Sequence, residues 1–149
     1  MIDNLLKNPV ESIFTFIALI IAISIHEYAH AWTADYLGDP TPKNQGRVTI
    51  NPLKHLDPLG TIFLLFAGFG WGKPVMTNPN NYRHPARDYA ITSFAGPIAN
   101  LILAAIISIP YTITIALGYD PNKFAALQFT ETVYYLNLLL CAFNLLPIY

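Results

Sequence analysis

A long apolar run begins at Ile13 and continues, through an embedded His-Glu pair, to Leu37. Pro9 suits the first turn of a helix, and Gly38-Asp39-Pro40 is a strong stop signal. A helix over residues 9–37 would measure roughly 40 Å at a rise of 1.5 Å per residue, which is enough to cross a bilayer with some tilt. The run therefore predicts a membrane-spanning helix as the first main element of the fold.

The composition also indicates a chain whose solvent is lipid. Charged residues make up 11% of the sequence, whereas an ordinary soluble domain contains about 25%. Mean hydropathy is +0.41, and the net charge of −1 gives no bulk attraction to nucleic acid. The single cysteine, Cys141, excludes an intrachain disulfide and a cysteine-based metal site, and we expect it to be a small apolar filler.

Two more segments have the length and apolarity of spanning helices. One covers about 88–117, with interruptions at Gly96-Pro97 and Pro110, and the other begins near Leu127 and is still apolar at Tyr149. Together with the first run, they predict three core transmembrane helices in a single membrane-embedded domain that covers residues 1–149.

The stretch 39–87 between the first two segments is polar and rich in proline. Within it, Arg47–Asn51 alternates like a short strand, which predicts a small β-strand cap. Leu59–Trp71 is apolar but too short to cross a hydrocarbon core of ~30 Å as a helix, so we expect a re-entrant or partly inserted segment. The predicted fold class is therefore an all-α polytopic membrane protein with these two additions.

The distribution of basic residues predicts the orientation. Loops rich in Lys and Arg stay on the cytoplasmic side of a membrane. We therefore expect a multi-pass protein of the cell membrane with its N-terminus outside, and with the later half of the first span and the end of the third on the cytoplasmic side. Six of the eight Lys and Arg residues lie between the first two spans: Lys43, Arg47, Lys54, Lys73, Arg83 and Arg87.

His26, Glu27 and His30 form an H-E-x-x-H motif inside the first span. Histidines four apart on a helix lie on one face, one turn apart, and can bind one zinc ion through two imidazoles. Glu27 lies beside that face and can act as general base toward water. A charged side chain inside a span costs about 2.5–3.5 kcal/mol and usually marks a functional site, which favours a metal centre over chance packing.

A catalytic zinc normally has three protein ligands and one open position, and the motif supplies two of them. Asp35 lies on the same helix but points to another face, nearer the surface. His55 and Asp57 form an H-x-D pair, but in a loop bounded by Pro and Gly such residues more often make turns. The residues alone therefore leave the third ligand open.

Small and polar residues in the later spans suggest an active-site wall. Gly96 and Pro97 kink the second span and permit close helix approach, and Asn100 and Asn144 are predicted to bind substrate backbone or water. Asn137 is seven residues before Asn144 and shares its face, which fits an inward orientation. The alternative for all of them is kinked packing without a role in chemistry.

Five sequence blocks, in this order, resemble the site-2 protease family of membrane-embedded zinc metalloproteases, in its compact bacterial-type branch. The resemblance covers nearly the whole chain, and the five blocks together are far more specific than H-E-x-x-H alone. The blocks are Ile25–Ala31, Asn51–Gly60, Gly70–Val75, Ala95–Asn100 and Phe143–Pro147.

The resemblance implies a three-helix catalytic core that holds one zinc per chain and cleaves transmembrane segments of other membrane proteins. It makes His26 and His30 zinc ligands and Glu27 the base. The family's third ligand is an aspartate in a block resembling N-x-x-P-x-x-P-L-D-G, which this chain matches from Asn144 to Pro147. The expected position of that aspartate lies just past Tyr149, so the resemblance implies a C-terminally incomplete domain.

Two alternatives to a zinc-dependent intramembrane endopeptidase remain. The chain could be a catalytically inactive membrane binding or scaffold protein that retains the protease fold, or an ion or proton pathway that uses His26, Glu27 and His30. Transport that survives metal removal would indicate the pathway. The expected partners are the lipid bilayer and a membrane-protein substrate, and the Arg47–Asn51 strand could either pair with an unwound substrate segment or cap the site.

Overall fold

The computed structural model describes residues 7–67 and 70–145, and this part of the chain is mostly helical. Short 3-10 turns, each begun by a proline behind an Asn or Asp cap, join the longer elements at Pro52–Lys54, Pro79–Asn81 and Pro121–Lys123. The described α-helices are α1 (Pro9–Tyr36), α2 (Thr41–Asn44), α3 (Pro58–Ala67), α4 (Pro85–Ala116) and α5 (Ala125–Leu145).

Helix α1 begins at the predicted Pro9 and ends one residue before the predicted Leu37. Gly38 adopts a positive φ of 108°, which reverses the chain at low steric cost. The next residue, Asp39, is fully buried and accepts hydrogen bonds from the backbone N–H groups of Thr41 (3.0 Å) and Asn78 (2.7 Å). This carboxylate therefore fixes two loop segments to the end of α1.

Helix α4 continues without a break through Pro97 and Pro110, so the predicted interruptions do not divide it. A proline removes one hydrogen bond of the helical ladder, and the remaining bonds and the packing against neighbouring helices carry the helix past both positions. The helix ends at Ala116, one residue before the predicted end at 117; Gly118 then has a φ of 89°, and a 3-10 turn follows.

Helices α1, α4 and α5 pack pairwise against one another as a three-helix bundle. Its interior is built from small and polar side chains, which allow the backbones to approach closely. By length and composition, α1 and α4 can cross a membrane; that α5 also crosses stays a prediction. The buried side chains of the bundle include Ala18, Ala22, Ala31, Ala104, Asn100, Asn137 and Cys141.

The predicted strand at Arg47–Asn51 is wrong, because this segment forms bends and no strand occurs among the described residues. The backbone N–H of Thr49 bonds back to the Arg47 carbonyl at 2.9 Å, and the Asn51 side chain caps the following 3-10 turn. The Arg47 side chain is turned inward and is only 4% exposed. The segment bends because the Arg47 guanidinium has its partners, Glu27 and the Lys73 carbonyl, in the interior.

Helix α3 covers part of the predicted apolar segment, and residues 68 and 69 lie outside the described residues. The chain then returns along α3: the backbone of Gly60 touches that of Trp71 so closely that no Cβ would fit at Gly60. The rings of Phe63 and Trp71 lie 5.3 Å apart. Helix α3 and the chain at Gly70 and Trp71 thus pack against each other, and the insertion of this segment into a membrane stays a prediction.

Candidate metal centre

His26 and His30 lie on the face of α1 that packs against α4. Their Nε2 atoms are 3.1 Å apart and their ring centroids 4.7 Å apart. His26 is buried and His30 is partly buried. The prediction that both histidines share one face of the helix is therefore confirmed, and both rings direct their Nε2 atom toward the same point.

The other ring nitrogen of each histidine has a fixed acceptor on α4. The Nδ1 of His30 lies 2.6 Å from the backbone carbonyl oxygen of Thr92, and the Nδ1 of His26 lies 2.6 Å from the side-chain oxygen of Asn100. A carbonyl oxygen can only accept, so each Nδ1 carries the proton. A neutral ring then leaves its Nε2 as an unprotonated lone pair.

A chain of amides fixes the orientation of Asn100. Its Nδ2 donates to the Ala22 carbonyl at 3.1 Å and to the side-chain oxygen of Asn137 at 2.7 Å. The Nδ2 of Asn137 in turn donates to the Val133 carbonyl at 2.8 Å. Both amides are fully buried, so all three helices of the bundle together determine which nitrogen of His26 is free.

This donor set fits zinc. Two unprotonated Nε2 atoms cannot hydrogen-bond to each other, but at 3.1 Å apart both can lie about 2.0–2.1 Å from one ion, the usual zinc–nitrogen distance. Histidine ligands commonly donate their other N–H to a carbonyl oxygen, as His26 and His30 do. The geometry of the pair is compatible with two ligands of one cation.

Gly96 keeps the space beside the two nitrogens open. A Cβ built at Gly96 would lie 2.7 Å from the Nε2 of His26 and closer still to the Nε2 of His30. Real Cβ atoms essentially never make such contacts, so any larger residue here would force α4 or the two rings to shift. Pro97, the other predicted residue of this pair, is buried in the helix next to it.

Among residues 7–67 and 70–145, no third His, Cys, Asp or Glu completes a group of metal ligands. Asp35 forms an exposed ion pair with Lys43 at 3.4 Å. Asp57 accepts from the Gly60 N–H at 2.8 Å, which is turn chemistry at the start of α3. His55 is fully buried in the loop and donates from Nε2 to the Thr49 carbonyl at 2.6 Å.

Glu27 lies next to the histidine pair and is held by the segment 73–75. Its Oε2 accepts from the Val75 N–H at 3.0 Å and lies 3.8 Å from Nη2 of Arg47. Arg47 also donates to the carbonyl oxygen of Lys73. The guanidinium therefore connects the carboxylate to the loop that covers it.

Arg47 and His55 form a buried polar layer under this loop. Burial lowers the pKa of Arg47, and the neighbouring Glu27 carboxylate opposes the shift. Burial also lowers the pKa of His55, which keeps its ring neutral with the proton on Nε2. Within the described residues, the Nε of Arg47 and the Nδ1 of His55 are buried without a hydrogen-bond partner. The sequence alone predicted neither the contact of the Arg47 side chain with Glu27 nor that of the Val75 N–H.

Asn100, Asn137 and Asn144 have different surroundings in the structure: the first two are buried and the third is exposed. Asn100 is engaged with His26 and with Asn137, rather than facing open space. Asn137 points inward, as its spacing predicted. Asn144 is exposed, and its Nδ2 donates to the Leu140 carbonyl of its own helix at 2.8 Å, while Pro147 lies outside the described residues.

Comparison with known proteins points to one kind of enzyme. The chain is 41% identical to a Bacillus subtilis (strain 168) protein named "Putative zinc metalloprotease YwhC", over 98% of this chain and 68% of that protein. It is 35% identical to the Mycolicibacterium smegmatis protein named "Putative zinc metalloprotease Rip2", over 67% of this chain and 42% of that protein. A Mycobacterium tuberculosis protein of the same name is 27% identical over 87% of this chain and 50% of that protein.

The chain thus spans about two thirds of the first of these relatives and half or less of the other two. No family model matches the chain, and no solved structure matches it.

Proposed function

This chain belongs to the zinc metalloprotease family of the Bacillus subtilis relative, and we propose that it is the catalytic core of an intramembrane endopeptidase. In this proposal it is of the site-2 protease type and cleaves transmembrane segments of other membrane proteins. The observation that carries the proposal is the pair of Nε2 atoms 3.1 Å apart on a helix long and apolar enough to cross a membrane.

His26 and His30 would hold one zinc through their Nε2 atoms, and a third ligand would come from the segment after α5, an aspartate as the family resemblance implies. When bound, zinc acts as a Lewis acid toward a carbonyl oxygen and makes water a better nucleophile at neutral pH. The hydrogen bond to Asn100 and the one to the Thr92 carbonyl keep both rings in the tautomer that binds metal.

Glu27 would be the general base. The Val75 N–H fixes its Oε2 at 3.0 Å, and its Oε1 has no hydrogen bond within the described residues, so one oxygen is free to take a proton. Glu27 accepts the proton of the attacking water and delivers it to the amine that leaves when the peptide bond breaks. Arg47, 3.8 Å from Oε2, holds the carboxylate in place during both transfers.

The proposed orientation puts the site toward the cytoplasm. The loop between α1 and α4 contains five of the eight basic residues, and a sixth, Arg87, lies in the first turn of α4; segments rich in Lys and Arg stay inside. The N-terminus is then outside, and α5 returns toward the cytoplasm as a third span. Hydrolysis requires a path for water from the cytoplasmic side, past the loop that contacts Glu27. A substrate segment must reach the site from the membrane side.

The test uses the full-length protein, reconstituted with a membrane-protein substrate, and measures both cleavage and bound zinc. Glu27→Gln is expected to abolish cleavage while zinc stays bound, because the amide cannot take a proton. His26→Ala is expected to lose both. Asp35→Asn serves as the matched control, since Asp35 lies on the same helix in an exposed ion pair.

Three outcomes would contradict the proposal. Full cleavage by Glu27→Gln would remove the base from the mechanism. Stoichiometric zinc without cleavage of any membrane substrate would favour the scaffold alternative. Ion or proton transport in liposomes that survives chelation would favour the pathway alternative.

A further inference from the structure

A second site lies at the end of the bundle where the basic loop meets the helices. Here a cavity of about 260 Å³ opens between the end of α1 and the start of α4. It is lined by Tyr36, Leu37, Arg83, Arg87 and Asp88. None of these residues belongs to the metal centre.

The cavity carries a net positive charge. Arg83 is exposed and makes no hydrogen bond or ion pair within the described residues, and Arg87 uses only its Nε, which lies 2.8 Å from Asp88 Oδ1. The Asp88 carboxylate is itself buried and also accepts from the His84 N–H at 3.0 Å. Two arginines thus line a cavity that holds a single carboxylate, which Arg87 and the His84 N–H already contact. The planar donor fork of a guanidinium matches the geometry of phosphate.

Aromatic rings next to the cavity indicate the level of a membrane–water boundary. On α1, the rings of Trp32 and Tyr36 stack with centroids 5.5 Å apart, and both side chains are exposed. On α4, Tyr89 is also exposed. Exposed Trp and Tyr at the ends of spanning helices sit at the level of lipid headgroups.

An apolar groove of about 530 Å³ runs along α1 and α4. Its residues Trp32 and Ile91 are each one helical turn from the cavity residues Tyr36 and Arg87, so the groove and the cavity follow one another along the same faces of both helices. No described residue of α5 lines it, so it opens away from the third helix of the bundle. Its walls and floor include Ile91, Ile98, Ile102, Ala29, Ala95 and Ala99.

We propose that the cavity and groove together bind one anionic phospholipid. Arg83 and Arg87 bind the headgroup phosphate, and an acyl chain lies in the groove between α1 and α4. The charge favours this occupant over a transmembrane helix, because an apolar helix in the groove would leave two guanidinium groups at its end unmatched. Basic pockets between spanning helices are a known kind of headgroup site.

The lipid would connect the two helices that build the metal centre. The bonds from His26 to Asn100 and from His30 to the Thr92 carbonyl both cross the α1–α4 interface. A ligand that contacts both helices on their outer side stabilises this pairing, and it does so whether or not zinc is bound. The lipid site can therefore be tested separately from proteolysis.

The experiment uses the full chain purified in a non-ionic detergent. Phosphatidylglycerol or phosphatidylcholine is added, and native mass spectrometry counts the lipids retained while thermal unfolding is followed. We expect one phosphatidylglycerol per chain to be retained in preference to phosphatidylcholine, and the melting temperature to rise with its concentration. Glycerol phosphate, which has the headgroup anion but no acyl chain, is expected to give neither effect.

Two double variants separate a built site from general attraction to charge. The double variant Arg83→Gln with Arg87→Gln is expected to weaken phosphatidylglycerol binding roughly 25-fold, from the usual contribution of two basic residues near an anionic surface. The matched control is Lys54→Gln with Lys73→Gln, which removes the same charge from exposed positions between α1 and α4. The control is expected to retain the lipid.

Several results would overturn the proposal. Equal weakening in both double variants would show attraction to the loop's charge as a whole, and unchanged binding in the arginine variant would remove the headgroup site. Stabilisation by glycerol phosphate alone would indicate a soluble anion as the ligand. Preferential capture of a transmembrane peptide over phosphatidylglycerol would assign the groove to a helix.

Discussion

Replacing Gly96 by alanine tests the metal centre most directly. The new Cβ would lie 2.7 Å from His26 Nε2, and closer to His30 Nε2, if nothing moved. Ordinary carbon contacts begin at about 3.5 Å, so α4 has to move away from α1 or the rings have to turn. Either change acts on the point where the two Nε2 atoms converge.

The expected loss of zinc affinity can be worked out from the hydrogen bonds that such a movement would break. The His26–Asn100 bond and the bond from His30 to the Thr92 carbonyl are both 2.6 Å long and both join α1 to α4. Loss of one such supporting bond typically weakens metal binding about 10- to 100-fold. We therefore expect Gly96→Ala to weaken zinc binding by roughly 10²- to 10⁴-fold, and overpacking to destabilise the fold by about 1–3 kcal/mol.

The assay is a zinc titration against a competing chelator, with thermal unfolding of the metal-free protein measured in parallel. Ala95→Ser is the matched control, because it adds one atom at the preceding position, which lines the apolar groove rather than the histidine pair. If Gly96→Ala had the zinc affinity and the stability of wild type, the two Nε2 atoms could not share an ion at this place.

Three further predictions follow from the contacts of single side chains. Asn137→Leu removes the acceptor that orients Asn100, and a zinc titration is expected to show about tenfold weaker zinc binding. An unchanged zinc affinity would mean that Asn137 does not support the histidine pair. Arg47→Ala is expected to lower the turnover of the full-length protease about 10- to 100-fold with zinc content unchanged, because the Glu27 carboxylate loses its lateral support. Arg47→Lys is expected to retain more of this turnover than Arg47→Ala. Loss of zinc together with activity would instead indicate collapse of the loop. For Asp39, burial raises the pKa, but hydrogen bonds from Asn81, Thr41 and Asn78 outweigh this effect, so the pKa is lowered overall. The carboxylate therefore stabilises the fold above the unfolded pKa of about 3.9, and this contribution is lost as the pH falls toward the folded pKa. Asp39→Asn is expected to make the melting temperature less dependent on pH in the acid range, and an unchanged dependence would contradict this.

Local signals in the sequence were sufficient for the long elements and for the motif. Pro9 and Gly38 bound α1 to within a residue, because helix start and stop signals act on their own neighbours in the chain. The spacing of His26 and His30 placed both rings on one face, because four residues are about one turn of any α-helix. The turn chemistry of Asp57 was also predictable, since its partner Gly60 is three residues away.

Contacts between elements were not predictable in the same way. The alternation at Arg47–Asn51 matches a strand, but the Arg47 guanidinium bonds to the carbonyl of Lys73, 26 residues away, and faces Glu27. Local pattern carries no information about such a partner, and it therefore predicted the wrong element. Asn144 is a similar case, because periodicity shows which residues share a face but not how far along the helix the packed neighbours extend.

Composition, helix signals and residue spacing were enough to predict a membrane-type helical chain with two histidines and a glutamate on one helix. That the two Nε2 atoms have free lone pairs follows only from the packed fold, because the acceptors that hold the Nδ1 protons lie on α4, 62 and 74 residues away. The need for glycine at position 96 also depends on the fold, since the atoms that a Cβ would meet there belong to the histidines of another helix. The tautomer of each histidine and the space beside Gly96 both depend on residues that are far apart in the sequence and become neighbours only when the helices pack.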